Sequence, residues 1–235
     1  MVLSVDYVVV ESTWYRLIPS RFPPISLYER VAREEVWPVV TSVEDLTNPR
    51  AQMRRLLTGD AQVDEASPKL QNWNHAPFAY LNPEGTWLLS PLFGAMELCD
   101  CLQTALAMSV RKRELFLSRT EEPPLDLDMR VLGTRVKGRL ADLRALDPTL
   151  TQTARWEVGE ELLNVGADGA LFNCPVRPAG TCVAIFNGDV LARSVQAEHF
   201  RFVWDGCHVK SVYSFDKGEN FRADDLFKDA VMKAA

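Results

Sequence analysis

The sequence predicts a single α+β domain with a central mixed sheet, and three observations lead there. Apolar, β-branched runs of strand length recur along the whole chain. Helical periodicity is confined to a few stretches, and the two kinds of segment follow one another without a βαβα rhythm. Finally, 235 residues at 47% hydrophobic and 25% charged suffice to bury one core, and no repeat, low-complexity tract or linker divides the range 1–235.

Taken in order, residues 5–10 are β-branched and read as a first strand, with 13–18 as a second. Pro19, Pro23 and Pro24 then impose irregular backbone. Ser26 with Glu29 forms a capping box for a short helix over 27–35, which Pro38 ends. Residues 45–57 read as helical in part despite Pro49, and 58–74 as a surface loop. A strand is expected at 78–81, closed by the turn Asn82-Pro83-Glu84-Gly85. Residues 93–98 form a short strand feeding a helix over 101–119, with Leu102, Leu106, Val110 and Leu115 at near-helical spacing. A long alternating strand spans 126–140 and a helix 151–165. Two short strands follow at 170–172 and 182–186, then a hairpin of 200–204 with 208–215 around Asp205-Gly206, and a terminal helix over 224–233.

The strand-to-helix stretch 93–120 is where a cleft is expected. It offers Met96, Met108, the thiols of Cys99 and Cys101, and one carboxylate, Glu97. Net charge is −6, from 26 Lys+Arg against 32 Asp+Glu, which argues against direct nucleic-acid or anionic-membrane binding. Five cysteines, an N-terminus without a secretory pattern and no membrane-length apolar run point to a cytoplasmic protein with reduced thiols. Cys99-Asp100-Cys101 lacks the spacing and further ligands of a metal site, and His75, His199 and His208 are far apart, so no metal is expected. No glycine-rich phosphate loop is present, and spacing alone supports no Ser-His-Asp or Cys-His pairing. The run Arg111-Lys112-Arg113 reads as a solvated helix end that complements the helix dipole.

Several phrases in a fixed order are similar to the RES family. They are Trp14-Tyr15-Arg16-Leu17-Ile18-Pro19-Ser20-Arg21-Phe22-Pro23-Pro24, Leu46-Thr47-Asn48-Pro49-Arg50 and Leu81-Asn82-Pro83-Glu84-Gly85. Further on come Thr104-Ala105-Leu106-Ala107, Glu114-Leu115-Phe116-Leu117, Pro123-Pro124-Leu125 with Asp128-Met129-Arg130-Val131, Cys182-Val183-Ala184-Ile185-Phe186 and Val203-Trp204-Asp205-Gly206. The likeness covers about residues 13–213 and leaves 216–235 as a C-terminal extension. It implies a compact fold similar to ADP-ribosyltransferases and bacterial toxins that cleave the nicotinamide bond of NAD⁺ by phosphorolysis or hydrolysis. It also implies a Xre-type antitoxin as partner, leaves a homodimer open, and makes NAD⁺ a substrate or ligand rather than a resident cofactor.

The family's reactive positions carry over only in part. Its first arginine matches Arg16, beside Tyr15, and a guanidinium suits a pyrophosphate. Its second arginine falls at Trp87, its tyrosine at Glu97, its glutamate at Met108 and its serine at Cys174. Methionine cannot stabilise the cation-like transition state of ribosyl transfer as a carboxylate does. The resemblance thus implies weakened or absent NAD⁺ cleavage, with Trp87 and Met108 expected to pack sulfur on aromatic and fill the former pocket. In the rival reading, Glu97 and Cys174 replace the missing carboxylate and serine, with strand alternation turning Glu97 into the cleft.

Overall fold

A computed structural model describes residues 5–20, 33–36, 39, 43 and 72–234. The helices expected over 27–35 and 45–57 lie largely outside the described residues, with only a short 3₁₀ turn at Glu34–Val36 described there. The described chain runs β1 (Tyr7–Pro19), α1 (Asn72–Ala79), β2 (Met96–Cys99), α2 (Leu102–Thr120), β3 (Leu125–Asp142), α3 (Gln152–Asn164), β4 (Gly169–Asn173), β5 (Thr181–Ile185), β6 (Val195–Trp204), β7 (Val209–Ser214), β8 (Glu219–Arg222) and α4 (Ala223–Leu226).

The strands form one mixed sheet in the order β1-β2-β5-β4-β3-β6-β7-β8, and a further β1–β3 pairing bends its first part into a ring. β1 lies antiparallel to β3 along its full length, from Tyr7 opposite Ala141 to Pro19 opposite Met129. That continuous partner is why β1 is one strand of 13 residues and not the expected two. β4 joins β3 in parallel at Ala141 and Asp142, the β5 strand links β4 to β2, and a single pair, Tyr15 opposite Cys99, closes the ring. The other edge of β3 carries the antiparallel extension β6-β7-β8.

Side-chain alternation sorts the residues of each ring strand onto two faces. Val10 and Trp14 of β1, Met96 and Leu98 of β2, Val136 and Leu140 of β3, Leu171 of β4, and Val183 and Ile185 of β5 form one buried cluster, so every strand of the ring contributes to it. The alternate residues, including Cys99, Ala141, Phe172, Cys182 and Ala184, form a second cluster that takes in Ala105 and Met108 of α2 and Leu162 of α3. A third lies where α2 meets the sheet extension, around Leu106, Val110, Met129, Phe200, Phe202 and Trp204. Inward-facing Met96 and Leu98 leave Glu97 on the alternate face of β2, the face whose cluster includes α2 residues.

Four expectations are corrected. Residues 78–79 end α1 instead of starting a strand, and 72–74 begin that helix instead of ending a loop. The terminal helix stops at Leu226, preceded by the unforeseen strand β8. β6 starts at Val195, five residues before the expected 200.

Candidate functional site

One cavity opens where β1 and β2 part beyond their single pair. It has a volume of about 360 Å³ and is lined by Arg16 and Leu17 from β1, Glu97 and Leu98 from β2, and one face of α2. That face is Ala105, Met108, Ser109, Lys112 and Arg113, at the three- and four-residue intervals that stack on a helix surface. A second cavity of about 630 Å³ adjoins it, sharing Glu97, Met108, Lys112 and Arg113 and reaching Trp87, Arg155 and Pro175. Together they form one cleft in the size range of small-molecule sites.

Arg16 projects into this cleft and donates a hydrogen bond to the backbone carbonyl of Trp73 in α1. No carboxylate pairs with it among the described residues, and Glu11 on the same strand is engaged by Arg135 and Lys137. Its Nε is buried without a partner. Burial draws its ionisation down to about 10. The helix that receives Arg16 is anchored on its far side by Asn74, which donates to the Ala192 carbonyl at 3.0 Å and accepts from the Ser194 hydroxyl at 2.5 Å.

Glu97 is held from two directions. One carboxylate oxygen accepts the Trp87 N–H at 3.1 Å, and the other pairs with Lys112 Nζ at 2.5 Å. Burial pushes the carboxyl up, but the Lys112 charge and the two hydrogen bonds outweigh it and hold Glu97 below the ordinary carboxylate range. The pair raises the Lys112 ammonium against its own burial. Its side chains are 9% and 54% exposed for Glu97 and Lys112, so water screens the pair from the lysine side.

The segment that presents Trp87 is built by the turn foreseen in the sequence. Gly85 N–H bonds to the Asn82 carbonyl at 2.8 Å, and Gly85 adopts φ +71°, a left-handed conformation where a Cβ would also strike the Leu89 carbonyl and Trp156. α3 then backs the segment: Trp156 donates to the Thr86 carbonyl at 3.0 Å, and Ser90 donates to Glu160 at 2.9 Å. Arg155 lies over the Trp87 ring, 5.1 Å from its centroid. Trp87 stacks on Phe172 with centroids 4.2 Å apart and planes 5° apart. The indole thus engages Phe172 and Arg155 and packs against the cluster that holds Met108, and a cavity remains beside both residues.

The structure thus brings Arg16, Glu97 and Met108 around one cavity, with Trp87 on the adjoining one. Tyr15 packs half-buried between two core clusters and lines neither cavity. Cys174 is buried and also lines neither, although its neighbours Pro175 and Val176 do. Its thiol is lowered to about 7 by a hydrogen bond from Cys182 and by the N–H groups of Val176 and Arg177. The sharing raises the Cys182 thiol in turn. Cys99 lies 3.7 Å from Cys182, sulfur to sulfur. Among the described residues no group of side chains gathers with the geometry of a metal site.

Sequence reasoning missed Lys112 and Arg113. Of the basic run, Arg111 pairs with Glu114 at 3.7 Å and edges the second cavity, Lys112 is half-exposed while pairing with Glu97, and Arg113 is the more buried of the three. Lys112 and Arg113 stand one turn beyond Met108 and Ser109, so the spacing that placed Met108 in the site also pointed to them.

A compact α+β domain with a strand ring closed by one residue pair and a cationic cleft between β1, β2 and α2 is the class these features define. The RES domain profile matches residues 65–205, more than half of the chain, and the chain belongs to the RES domain family. It is 46% identical over 216 residues to the uncharacterized protein y4oC of Sinorhizobium fredii (strain NBRC 101917 / NGR234), covering 92% of this chain and 93% of that one. A chain in the crystal structure of the M. tuberculosis MbcT–MbcA toxin–antitoxin complex aligns over 81% of this chain and 86% of its own, at 13% identity and a TM-score of 0.44. No described helix is long and apolar enough to cross a membrane.

Proposed function

We propose that this RES protein binds NAD⁺ or a related dinucleotide in the cleft beside Arg16, with cleavage of the nicotinamide bond weakened or lost. It then acts through nucleotide binding or through a protein partner, for which a Xre-type antitoxin is the class that the family suggests. The observation that carries this reading is the double restraint on Glu97. The one carboxylate among the described residues that line the cavity between β1, β2 and α2 is neutralised by Lys112 and held by the Trp87 N–H, while Met108 supplies no charge. A ribosyl cation developing in such a cleft meets an ion pair of near-zero net charge instead of a free carboxylate, which removes much of the electrostatic stabilisation that cleavage needs. Arg16 keeps the capacity to grip phosphate oxygens.

The test follows nicotinamide release from NAD⁺ by the purified protein, with and without phosphate, alongside NAD⁺ binding by calorimetry. Measurable binding that Arg16→Ala abolishes, with turnover far below one per minute, is the expected outcome. Rapid turnover would overturn it in favour of the rival reading, in which Glu97 serves as the replacement carboxylate. That rival is favoured by one observation, the presence of Glu97 and Arg16 around the same cavity, and it requires Glu97→Gln to abolish turnover.

A further inference from the structure

The cavity between β1, β2 and α2 holds a second arginine, at a position the sequence pattern of the family does not supply. Arg113 lines both cavities, and its Nε, like that of Arg16, is buried without a hydrogen-bond partner. No ion pair to it exists among the described residues, whereas its neighbours on the helix are both paired, Arg111 with Glu114 and Lys112 with Glu97. Burial lowers both guanidinium groups, neither of them paired with a carboxylate among the described residues, below their ordinary ionisation. Among the described residues the cavity between β1, β2 and α2 is therefore lined by three cations against one carboxylate, and that carboxylate is spent on Lys112, in a protein of net charge −6. Half-buried guanidinium groups without counter-charge are costly, and buried donors without acceptors are uncommon enough to call for a ligand or another explanation. A ligand carrying adjacent phosphates answers both groups at once.

We infer that Arg113, delivered from α2, acts with Arg16 from β1 as a two-guanidinium clamp for a diphosphate, in place of the arginine that Trp87 displaces. This rests on the dinucleotide-site reading and names the residue that completes its phosphate subsite. Planar guanidinium forks from two elements can each engage a different phosphate, so the site prefers a diphosphate over a monophosphate.

Calorimetry of the wild type, Arg16→Ala, Arg113→Gln, Arg113→Lys and Arg222→Gln with inorganic pyrophosphate, ADP-ribose, AMP and NAD⁺ tests this; Arg222 is an exposed arginine that lines neither cavity. The expected result is that Arg113→Gln weakens pyrophosphate and ADP-ribose by tenfold or more and AMP by much less. Arg113→Lys recovers part of the loss, and Arg222→Gln changes nothing. Ligand-free melting separates binding from structure: removing an unpaired cation leaves the melting temperature unchanged or raises it, and a clear fall would mark Arg113 as structural and overturn the inference. If Arg16→Ala loses the ligands while Arg113→Gln retains them, the clamp is wrong and the dinucleotide reading stands. Pyrophosphate binding without ADP-ribose or NAD⁺ binding keeps the clamp and removes the dinucleotide. A wild type that binds none of these overturns both.

Discussion

At the scale of single residues, the Glu97–Lys112 pair sets how the cleft responds to pH. Glu97 is held below its ordinary value, so its contribution to stability is present above the unfolded carboxylate value and is lost as pH falls through its folded one. Lys112 is raised, so its contribution is complete below its ordinary value and lost as pH rises through the folded one. The pair therefore supports a plateau across neutral pH with an edge on each side. With Lys112 54% exposed, solvent screening limits the gain to no more than about 1 kcal/mol. Glu97→Gln keeps an acceptor for the Trp87 N–H and should lower the melting temperature slightly at pH 7 while flattening the acid edge. An unchanged acid edge in a melting series from pH 3 to 8 would show that Glu97 is not held down by Lys112.

At the scale of elements, α3 acts as the brace behind the cleft, and Gly159 is what lets it approach. A Cβ on Gly159 would lie 2.0 Å from the Leu88 carbonyl oxygen. Gly159→Ala gains helix propensity of about 1 kcal/mol, yet it must push the 86–90 segment away, at a cost of roughly 1–3 kcal/mol. The expected net is a lower melting temperature and weaker NAD⁺ binding, because Trp87 carries the N–H that orients Glu97; a rise in melting temperature would refute the close approach.

Elements were legible in the sequence where periodicity and pairing agreed. The β2–α2 stretch, the long β3, the 82–85 turn and the β6–β7 hairpin all follow from alternation, helical spacing or turn residues. α1 was not legible, because Asn72-Trp73-Asn74-His75-Ala76-Pro77 has no amphipathic stripe and carries a proline inside the helix. The terminal helix fails for a tertiary reason. Beyond Leu226 the backbone carbonyls are taken by side chains from elsewhere, Gln103 donating to Ala230 at 2.9 Å and Arg177 to Lys228 and Asp229 at 3.1 and 3.2 Å. Gln103 also accepts the Met232 N–H at 3.1 Å, so the tail is bound as an irregular strap. In the cleft, Arg16, Glu97 and Met108 could be read from their phrases and strand parity. Lys112 and Arg113 looked like a solvated run because their place in the cleft depends on how α2 packs over the parted strands.

For the whole molecule, the five-strand ring is unevenly fastened. β1 holds β3 through thirteen residue pairs, from Tyr7 to Pro19, while it meets β2 at one, Tyr15 opposite Cys99. The ring is a bracelet with a single clasp, and the candidate ligand pocket lies at the clasp. Breathing motions that need little energy should begin there, since few backbone bonds oppose them. A molecule gripped from β1 on one side and from the β2–α2 side on the other would fasten the bracelet. Hydrogen exchange should then show amides 96–99 less protected than 131–140 in the free protein, and selectively slowed by ADP-ribose. Equal protection of the two strands without ligand would mean that the ring opens elsewhere. If the clasp does open first, occupancy of the cleft becomes a mechanical property of the fold: the filled protein is a shut ring, the empty one a ring ajar.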